Sequence, residues 1–591
     1  MKKTILLLIA CLTGHTLAAE STSAKQQLRF HVAAEKTPLV NRTVEILQRR
    51  IQEQCGIVPE ESAADATLIL AKEPSIGEEG FRISEDPDGK IHITGNDDRG
   101  LLYGVGKFLH TSRYEEGRFT PSAWRGTSVP DCHVRGMYWA FHNNFYPNAP
   151  LPELNRYMED LALWGVNALV FHFSPKAENN AGIANADEVA QFRSLFREAK
   201  KLGLSVGLIA EPNMGRSDAP KEILAEPFPD TNPQRRGTNG TRICPSKPEG
   251  FTYLSKMLGE YLDHGKESGL DYVIAFPYDS GGCGCKECWP WGGRGYLKIS
   301  REFFRLARER FPQAKRVVGT WCFDVRSEPD GEYDGLSREL EKDNNWADYI
   351  MDDSHGDYPR YFLDHGVAGG LPLLNFAEIS MWGRFPWGGS GANPLPERFQ
   401  RIWDQSGKAL DGGFPYSEGK YDDINKVIFS QFFWNRNTKA VDAVREYVSA
   451  EYSPVVVEPV TEAILLLEKT YQRGNQNPKD IVRAYELLQG ADAKLSQRVR
   501  ESWRWRMLLL RATIDFELST HNQQVTDRCN DAYEELIRIS HLETGWTAVK
   551  PPARPRTTPK APQPSGTPLP PGSDSGIVPT PTATPKPPTA Q

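Results

Sequence analysis

Tyr272-Val-Ile-Ala-Phe-Pro-Tyr-Asp-Ser-Gly-Gly-Cys-Gly-Cys-Lys-Glu-Cys288 is an apolar run that stops abruptly in an acid, two glycines and three cysteines. Buried parallel strands read as short, β-rich apolar runs, and chemistry in such folds gathers where strand gives way to loop. Asp279 therefore occupies the position of a catalytic carboxylate. The same layout recurs in Val206-Gly-Leu-Ile-Ala-Glu211, Val317-Val-Gly-Thr-Trp-Cys-Phe-Asp324, Tyr349-Ile-Met-Asp-Asp353, Leu373-Leu-Asn-Phe-Ala-Glu378 and Phe414-Pro-Tyr-Ser-Glu418. Several strands ending in acids predict one acidic pocket rimmed by aromatic side chains.

Outward from this stretch, residues 132–436 alternate strand and helix. Val134 to Phe141 reads as a strand, Pro152 to Leu163 as a helix and Ala168 to Phe173 as a strand, with a helix ending near Lys201. Further strands near 206, 272, 317, 347, 373 and 414 alternate with helices, the last over Asp423 to Trp434. Eight strand-helix units over about 300 residues have the size and rhythm of a (β/α)8 TIM barrel. A doubly wound open sheet competes, but no Gly-rich phosphate turn follows the first strand.

The flanks differ in pattern. Residues 26–125 read as a small α/β domain, with an amphipathic helix over Asn41 to Gln52 and strands at Ala66 to Leu70 and Lys90 to Thr94. Arg99-Gly-Leu-Leu-Tyr-Gly-Val-Gly-Lys-Phe-Leu109 opens a helix whose glycines suit close packing. Residues 437–545 turn helical: Val460, Ile464, Leu467 and Tyr471 share one face, and Trp503 to Leu518 is a strong helix. Residues 550–591 are Pro/Thr-rich and bury almost nothing, which predicts a disordered tail.

Met1-Lys-Lys, the apolar Thr4 to Leu12 and Thr16-Leu-Ala-Ala19 form the three regions of a secretory signal over residues 1–19. Leu8-Ile-Ala-Cys11 also fits a bacterial lipoprotein box, which would leave a lipid on Cys11. Either reading predicts export to the periplasm or beyond. No later apolar run is long enough to cross a membrane. With 70 basic against 77 acidic residues and no basic stripe, the chain lacks the footprint of a nucleic-acid binder. Its 14 Trp and 21 Tyr suit stacking on sugar faces, so a carbohydrate is the predicted partner.

Gly80-Phe-Arg-Ile83, Ile91-His-Ile-Thr-Gly95 and Arg99-Gly-Leu-Leu-Tyr-Gly104 resemble the small α/β domain that precedes the barrel in glycoside hydrolase families 20, 67 and 84. Arg135-Gly-Met and Leu161-Ala-Leu-Trp-Gly-Val-Asn167 resemble the barrel openings of these enzymes, and a helical domain after the barrel is similar to families 67 and 84. The resemblance spans about residues 26–545 and implies a glycoside hydrolase, with hexosaminidase-like chemistry one form of it. The chain departs from the family patterns in named places. Asp279 is followed by Ser280 where family 20 carries adjacent Asp-Glu, and the Asp352-Asp353 pair falls after strand six, whereas family 84 has adjacent aspartates after strand four.

Glycoside hydrolysis needs one acid to protonate the departing oxygen and one carboxylate to attack or to activate water. Asp279, Glu418 and Glu378 are the candidate catalytic residues. Side chains alternate faces along a strand, so Asn375 and Glu378 share the barrel axis only if strand seven ends or bulges between them. Asp352 and Asp353 straddle the two faces, and Asp422 and Asp423 are read as caps of the last helix. His142, His172, Glu211, Tyr278, Trp321, Asp324, Trp382 and Tyr416 are the candidate substrate contacts, with Trp382 and Trp387 on a Gly-rich loop over the mouth. A glycan-binding protein without hydrolysis, or a polysaccharide lyase, on the same scaffold are the competing readings.

Cys283-x-Cys285-x-x-Cys288 follows strand four and Cys244 lies beyond strand three. Four sulfurs meeting on one loop layer suit a structural zinc; the alternative is one or two disulfides, which an exported compartment permits. Catalysis itself is predicted to need no cofactor.

Overall fold

The computed structural model describes residues 26–141, 145–172, 186–229, 241–278, 281–324, 331–354, 360–380, 391–470 and 477–541. The predicted leader, the Pro/Thr-rich tail, His142, Asp279, Trp382, Trp387 and Tyr471 lie outside the described residues.

Eight parallel strands close a barrel: one (Val134–Ala140), two (Ala168–His172), three (Ser205–Ala210), four (Tyr272–Ala275), five (Lys315–Gly319), six (Tyr349–Ser354), seven (Leu373–Ala377) and eight (Leu410–Gly413). Strand one pairs with strand two at Met137 and Leu169, and with strand eight at Val134 and Gly412. That second pairing closes the ring, which an open doubly wound sheet would leave with two free edges. Beyond strand eight, Tyr416–Ser417 pairs again with strand one at Tyr138 and Trp139.

The alternation of a strand sorts side chains into two cores. Val134, Tyr138, Ala168, Val170, Ile209, Ile274, Val317, Met351, Leu374, Phe376 and Phe414 fill the barrel, while Met137, Leu169, Leu208, Val273, Val318, Ile350 and Leu373 pack outward against the helices. Strands buried on both faces carry no polar alternation, so they read in sequence as continuous apolar runs. The helix over Asp423–Trp434 stands where its periodicity predicts it.

Before the barrel lies a six-stranded sheet in the order Glu60–Glu61, Arg29–Val32, Leu68–Lys72, Ile91–Gly95, Phe81–Glu85, Gly126–Ser128. Its first three pairings are parallel, and Phe81–Glu85 runs antiparallel to both of its neighbours. Helices Pro38–Cys55 and Asp98–Thr111 start at capping side chains, Thr37 and Asp97, which accept the N–H groups of Val40 and Gly100. The glycine-rich second helix presses on the barrel: a Cβ on Gly106 would meet the Leu163 carbonyl oxygen at 2.3 Å.

The segments that resemble family barrel openings hold the N-terminal end of the barrel. The buried Arg135 side chain donates to Glu79, to the Gly165 carbonyl at 2.8 Å and to the Cys132 carbonyl at 3.0 Å. Asn167 Nδ2 donates to Glu79 at 3.1 Å and to the His133 carbonyl at 2.8 Å. In TIM barrels this end serves stability, whereas chemistry occupies the other.

Helices Ala440–Glu451, Val457–Lys469, Pro478–Asp492, Trp503–Thr520 and Asp527–Ile539 follow the barrel, with Val460, Ile464 and Leu467 buried. Arg504 joins them to it, donating to Asp160 and to Asp423, each at 2.9 Å. Asp423 also accepts from Tyr157 at 2.8 Å and Tyr447 at 2.7 Å. The capping role read for Asp423 is thus corrected: its carboxylate is spent on an ion pair and two phenols across the domain junction.

Candidate active site

Parity carried past each strand end locates the side chains over the barrel mouth. On strand seven Leu374 and Phe376 point into the barrel, so Glu378 continues their face, while Asn375 belongs to the opposite one. On strand eight Phe414 and Tyr416 set the face that Glu418 continues. Glu378 and Tyr416 pair as an isolated parallel bridge, so both glutamates rise from adjoining backbone.

Ser380 links them. Its backbone N–H donates to Glu378 Oε1 at 3.0 Å, and its hydroxyl oxygen accepts the backbone N–H of Glu418 at 2.9 Å. The Ser380 hydroxyl in turn donates to Asp422 Oδ2 at 2.6 Å. Asp422 is also reached by Ser417 at 3.2 Å and by the ammonium of Lys426. Lys426 completes its donors on the Gly419 carbonyl at 2.6 Å and the Tyr157 hydroxyl at 2.9 Å. Asp422 is therefore the centre of a buried polar network and makes no side-chain cap bond, which corrects the capping role read for it.

Glu418 is only 1% exposed and Glu378 6%, yet each keeps polar partners. The Tyr416 hydroxyl donates to Glu418 Oε1 at 2.5 Å. Burial first, then the Glu418 and Glu378 carboxylates, hold the Tyr416 phenol well above its ordinary range, so it stays a donor. Burial and the charge of Glu418 act in the same direction on Tyr421, which is buried beside them.

An aromatic floor lies beneath. Tyr138 packs on Tyr416 with centroids 5.1 Å apart and on Phe376 at 5.6 Å. Phe376 meets Phe276 at 5.1 Å, and Phe276 stacks on Trp321 at 5.3 Å. His172, at the end of strand two, and Glu211, just beyond strand three, continue the inward faces set by Val170 and Ile209. The arrangement can present carboxylates, an imidazole and aromatic faces to one bound molecule.

No protein-family model matches the chain, and no curated protein matches it. Among solved structures it is similar to a family GH115 4-O-methyl-α-glucuronidase with specificity for decorated arabinogalactans, at 11% identity and TM-score 0.56 over 87% of this chain and 76% of that one. A GH138 enzyme targeting pectin rhamnogalacturonan II aligns at 12% identity and TM-score 0.53 over 86% and 70% of the two chains. A family 89 glycoside hydrolase from Clostridium perfringens, in complex with PUGNAc, aligns at 12% identity and TM-score 0.55 over 85% and 65%. The chain shares the (β/α)8 barrel fold of these three enzymes.

Within this barrel fold, two residues read as pocket-lining do other work. Tyr278 is fully buried and packs with the outer core, its hydroxyl donating to Glu332. The chain leaves strand four at Ala275 and turns, so the alternation that would have aimed Tyr278 inward no longer holds. Asp324 accepts the N–H groups of Glu332 and Tyr333, both at 3.1 Å, at the start of helix Glu332–Lys342. It is a helix cap reached from eight residues upstream. Asp352 likewise faces the barrel wall, accepting from Thr320 at 2.5 Å and Tyr333 at 3.2 Å.

Sequence reasoning missed Ser380, Lys426 and Asn213. Ser380 stands two residues past Glu378 and so shares its face, a signal that parity could have supplied. Asn213 stands two past Glu211 and clamps Gly282: its Nδ2 donates to the Gly282 carbonyl and its Oδ1 accepts the Gly282 N–H, both at 3.0 Å. This pins the loop after strand four to the loop after strand three, where Cys244, Cys283, Cys285 and Cys288 also converge.

Proposed function

We propose that the chain hydrolyses O-glycosidic bonds at the C-terminal mouth of its barrel. The observation that carries this reading is the pair of buried glutamates, Glu378 and Glu418, tied to one serine above an aromatic floor. Glycosidases need two carboxyl groups in different states, one to give a proton and one to attack or to activate water. A barrel mouth with carboxylates on neighbouring strand ends supplies candidates for both roles.

In this reading Asp279, the residue after Tyr278, protonates the departing oxygen or orients the substrate. Glu418 and Glu378 provide the nucleophile or base, with Tyr416 orienting Glu418. His172 and Glu211 contact sugar hydroxyls, and Trp321 offers a stacking face. The fold neighbours are a 4-O-methyl-α-glucuronidase with specificity for decorated arabinogalactans, an enzyme targeting pectin rhamnogalacturonan II and a hydrolase in complex with PUGNAc, which supports glucuronides and N-acetylhexosaminides as the first substrates to try. Residues 1–19 support export as the route to such glycans.

The test is a panel of aryl hexosides, glucuronides and N-acetylhexosaminides offered to the wild type, Glu418→Gln, Glu378→Gln and Asp279→Asn. The wild type should release the aryl alcohol from at least one class, and each variant should lower kcat by about 10²- to 10⁴-fold. Full turnover in both glutamate variants would remove the proposal. An ultraviolet-absorbing unsaturated product would instead make the protein a lyase, and tight sugar binding with no product a lectin-like receptor.

A further inference from the structure

Four thiols from two separate loops meet in the layer above strands three and four. Cys244 follows the short ribbon formed by Met214–Gly215 and Thr241–Arg242, and Cys283, Cys285 and Cys288 lie in the loop after strand four. All four are buried, and their sulfurs lie within 4.8 Å of one another. Cys244 Sγ is 3.6 Å from Cys285 Sγ and 3.9 Å from Cys288 Sγ. Among the described residues this is the one group of three or more cysteine, histidine or carboxylate ligands gathered so closely.

These spacings discriminate between the two chemistries open to four cysteines. A tetrathiolate zinc site has Zn–S bonds of about 2.3 Å, and the edge of that tetrahedron is about 3.8 Å. A disulfide brings two sulfurs to about 2.05 Å and, in doing so, moves each away from the other pair. The separations of 3.6 and 3.9 Å from Cys244 bracket that edge, all four sulfurs lie within 4.8 Å of one another, and none of these cysteines is bonded to another.

The surroundings bring polar groups to the sulfurs. The Ser246 hydroxyl is 3.1 Å from Cys288 Sγ. The Arg242 guanidinium lies within electrostatic reach of Cys283, and its buried Nη1 has no hydrogen-bond partner among the described residues. Such outer contacts orient thiolate ligands and offset the negative charge that four of them impose. The loop is also shaped for close wrapping: the Gly284 N–H donates to the Glu226 carbonyl at 3.0 Å, and a Cβ on Gly284 would meet the Pro227 carbonyl oxygen at 1.9 Å.

We propose that Cys244, Cys283, Cys285 and Cys288 bind one zinc ion as a closed tetrathiolate. Four thiols lose four protons to solvent as four Zn–S bonds form, and no electron changes hands. With every coordination position taken by sulfur, the ion has no place for water or substrate, so its role is structural. Together with the Asn213 clamp on Gly282, it would lock the loop that carries Tyr278 and Asp279 onto the loop of strand three. The inference stands on thiol geometry and does not depend on the glycosidase reading.

The test is elemental analysis of the full chain purified without a metal-chelating tag, beside Cys283→Ser and Cys288→Ser. About one zinc per chain is expected, falling by about tenfold or more in the variants. Should the variants fail to fold, the wild type alone decides: unfolding should release about one zinc per chain to a colorimetric chelator, and peptide mapping after alkylation of the unfolded chain should find Cys244, Cys283, Cys285 and Cys288 all labelled as free thiols. Cobalt substitution should give the intense visible bands and near-ultraviolet thiolate-to-metal absorption of a tetrahedral sulfur site. A metal-free wild type with these thiols free, peptide-mapped disulfides among the four, or iron in place of zinc would each overturn the proposal.

Discussion

Tyr416 and Glu418 stand two residues apart on one inward-facing edge, and the phenol of the first donates to the carboxylate of the second across 2.5 Å. A hydrogen bond to a charged group contributes more than a neutral one, and removing the donor leaves a buried carboxylate short of a partner. Tyr416 thus orients Glu418 as well as forming part of the aromatic floor.

Tyr416→Phe keeps the ring contacts with Tyr138 and Phe376 while deleting the hydroxyl. The lost bond is worth about 1.5–3 kcal/mol, so kcat should fall by about ten- to a hundredfold. The melting temperature should fall by no more than a few degrees, because the packing is retained and only the one hydrogen bond to the buried carboxylate is lost. Steady-state kinetics on the substrate found by the panel, with calorimetry alongside, checks both parts.

Asp422→Asn removes the charge that Lys426 faces in a site where both side chains are inaccessible to water. Leaving one member of a buried ion pair alone costs about 3–5 kcal/mol. The variant should be destabilised by that order in urea unfolding. Because Ser380 also contacts Glu418, the folded fraction should lose activity as well.

Arg135→Met should separate stability from chemistry. It deprives Glu79 of one of its two guanidinium partners at the N-terminal end of the barrel, Arg99 remaining at 2.7 Å, and is expected to cost about 1.5–3 kcal/mol. The proposed catalytic glutamates, Glu378 and Glu418, lie at the other end, so activity per folded molecule should stay near wild type. A large fall in kcat at full folding would contradict this division of the barrel.

Glu468 accepts the N–H groups of Glu397 and Arg398, both at 2.8 Å, at the start of helix Pro396–Ser406. Burial pushes its carboxyl up to about 7, against 4.5 for an ordinary glutamate. The folded chain therefore holds this proton through a window where the unfolded chain has released it. Its stabilising effect is complete below the unfolded pKa and is lost as pH rises toward 7, at up to about 1.4 kcal/mol per pH unit. Urea unfolding at several pH values should show that slope in the wild type and a flatter one in Glu468→Gln.

Much of the fold was legible because a fully buried parallel strand leaves its mark in one short window. Tyr272 to Ala275 and Leu373 to Ala377 declare themselves by composition, and helix Asp423–Trp434 by periodicity. Glu378 and Glu418 were legible for a related reason, since each follows a strand whose alternation carries on to the carboxylate. Tyr278 and Asp324 were misread where that rule lapses. One lies past a turn in the chain, and the other is held by a helix that begins eight residues later.

The sequence alone determined that apolar strands ending in acids alternate with helices, and that four cysteines flank two neighbouring strand ends. These are local facts, set by side-chain volume, polarity and periodicity within a few residues. Tertiary structure alone decided that Ser380 joins Glu378 to Glu418, that Asp422 and Lys426 share a dry site behind them, and that four sulfurs gather within 4.8 Å of one another. Such relations depend on the closure of the barrel, which brings together residues tens of positions apart in the chain.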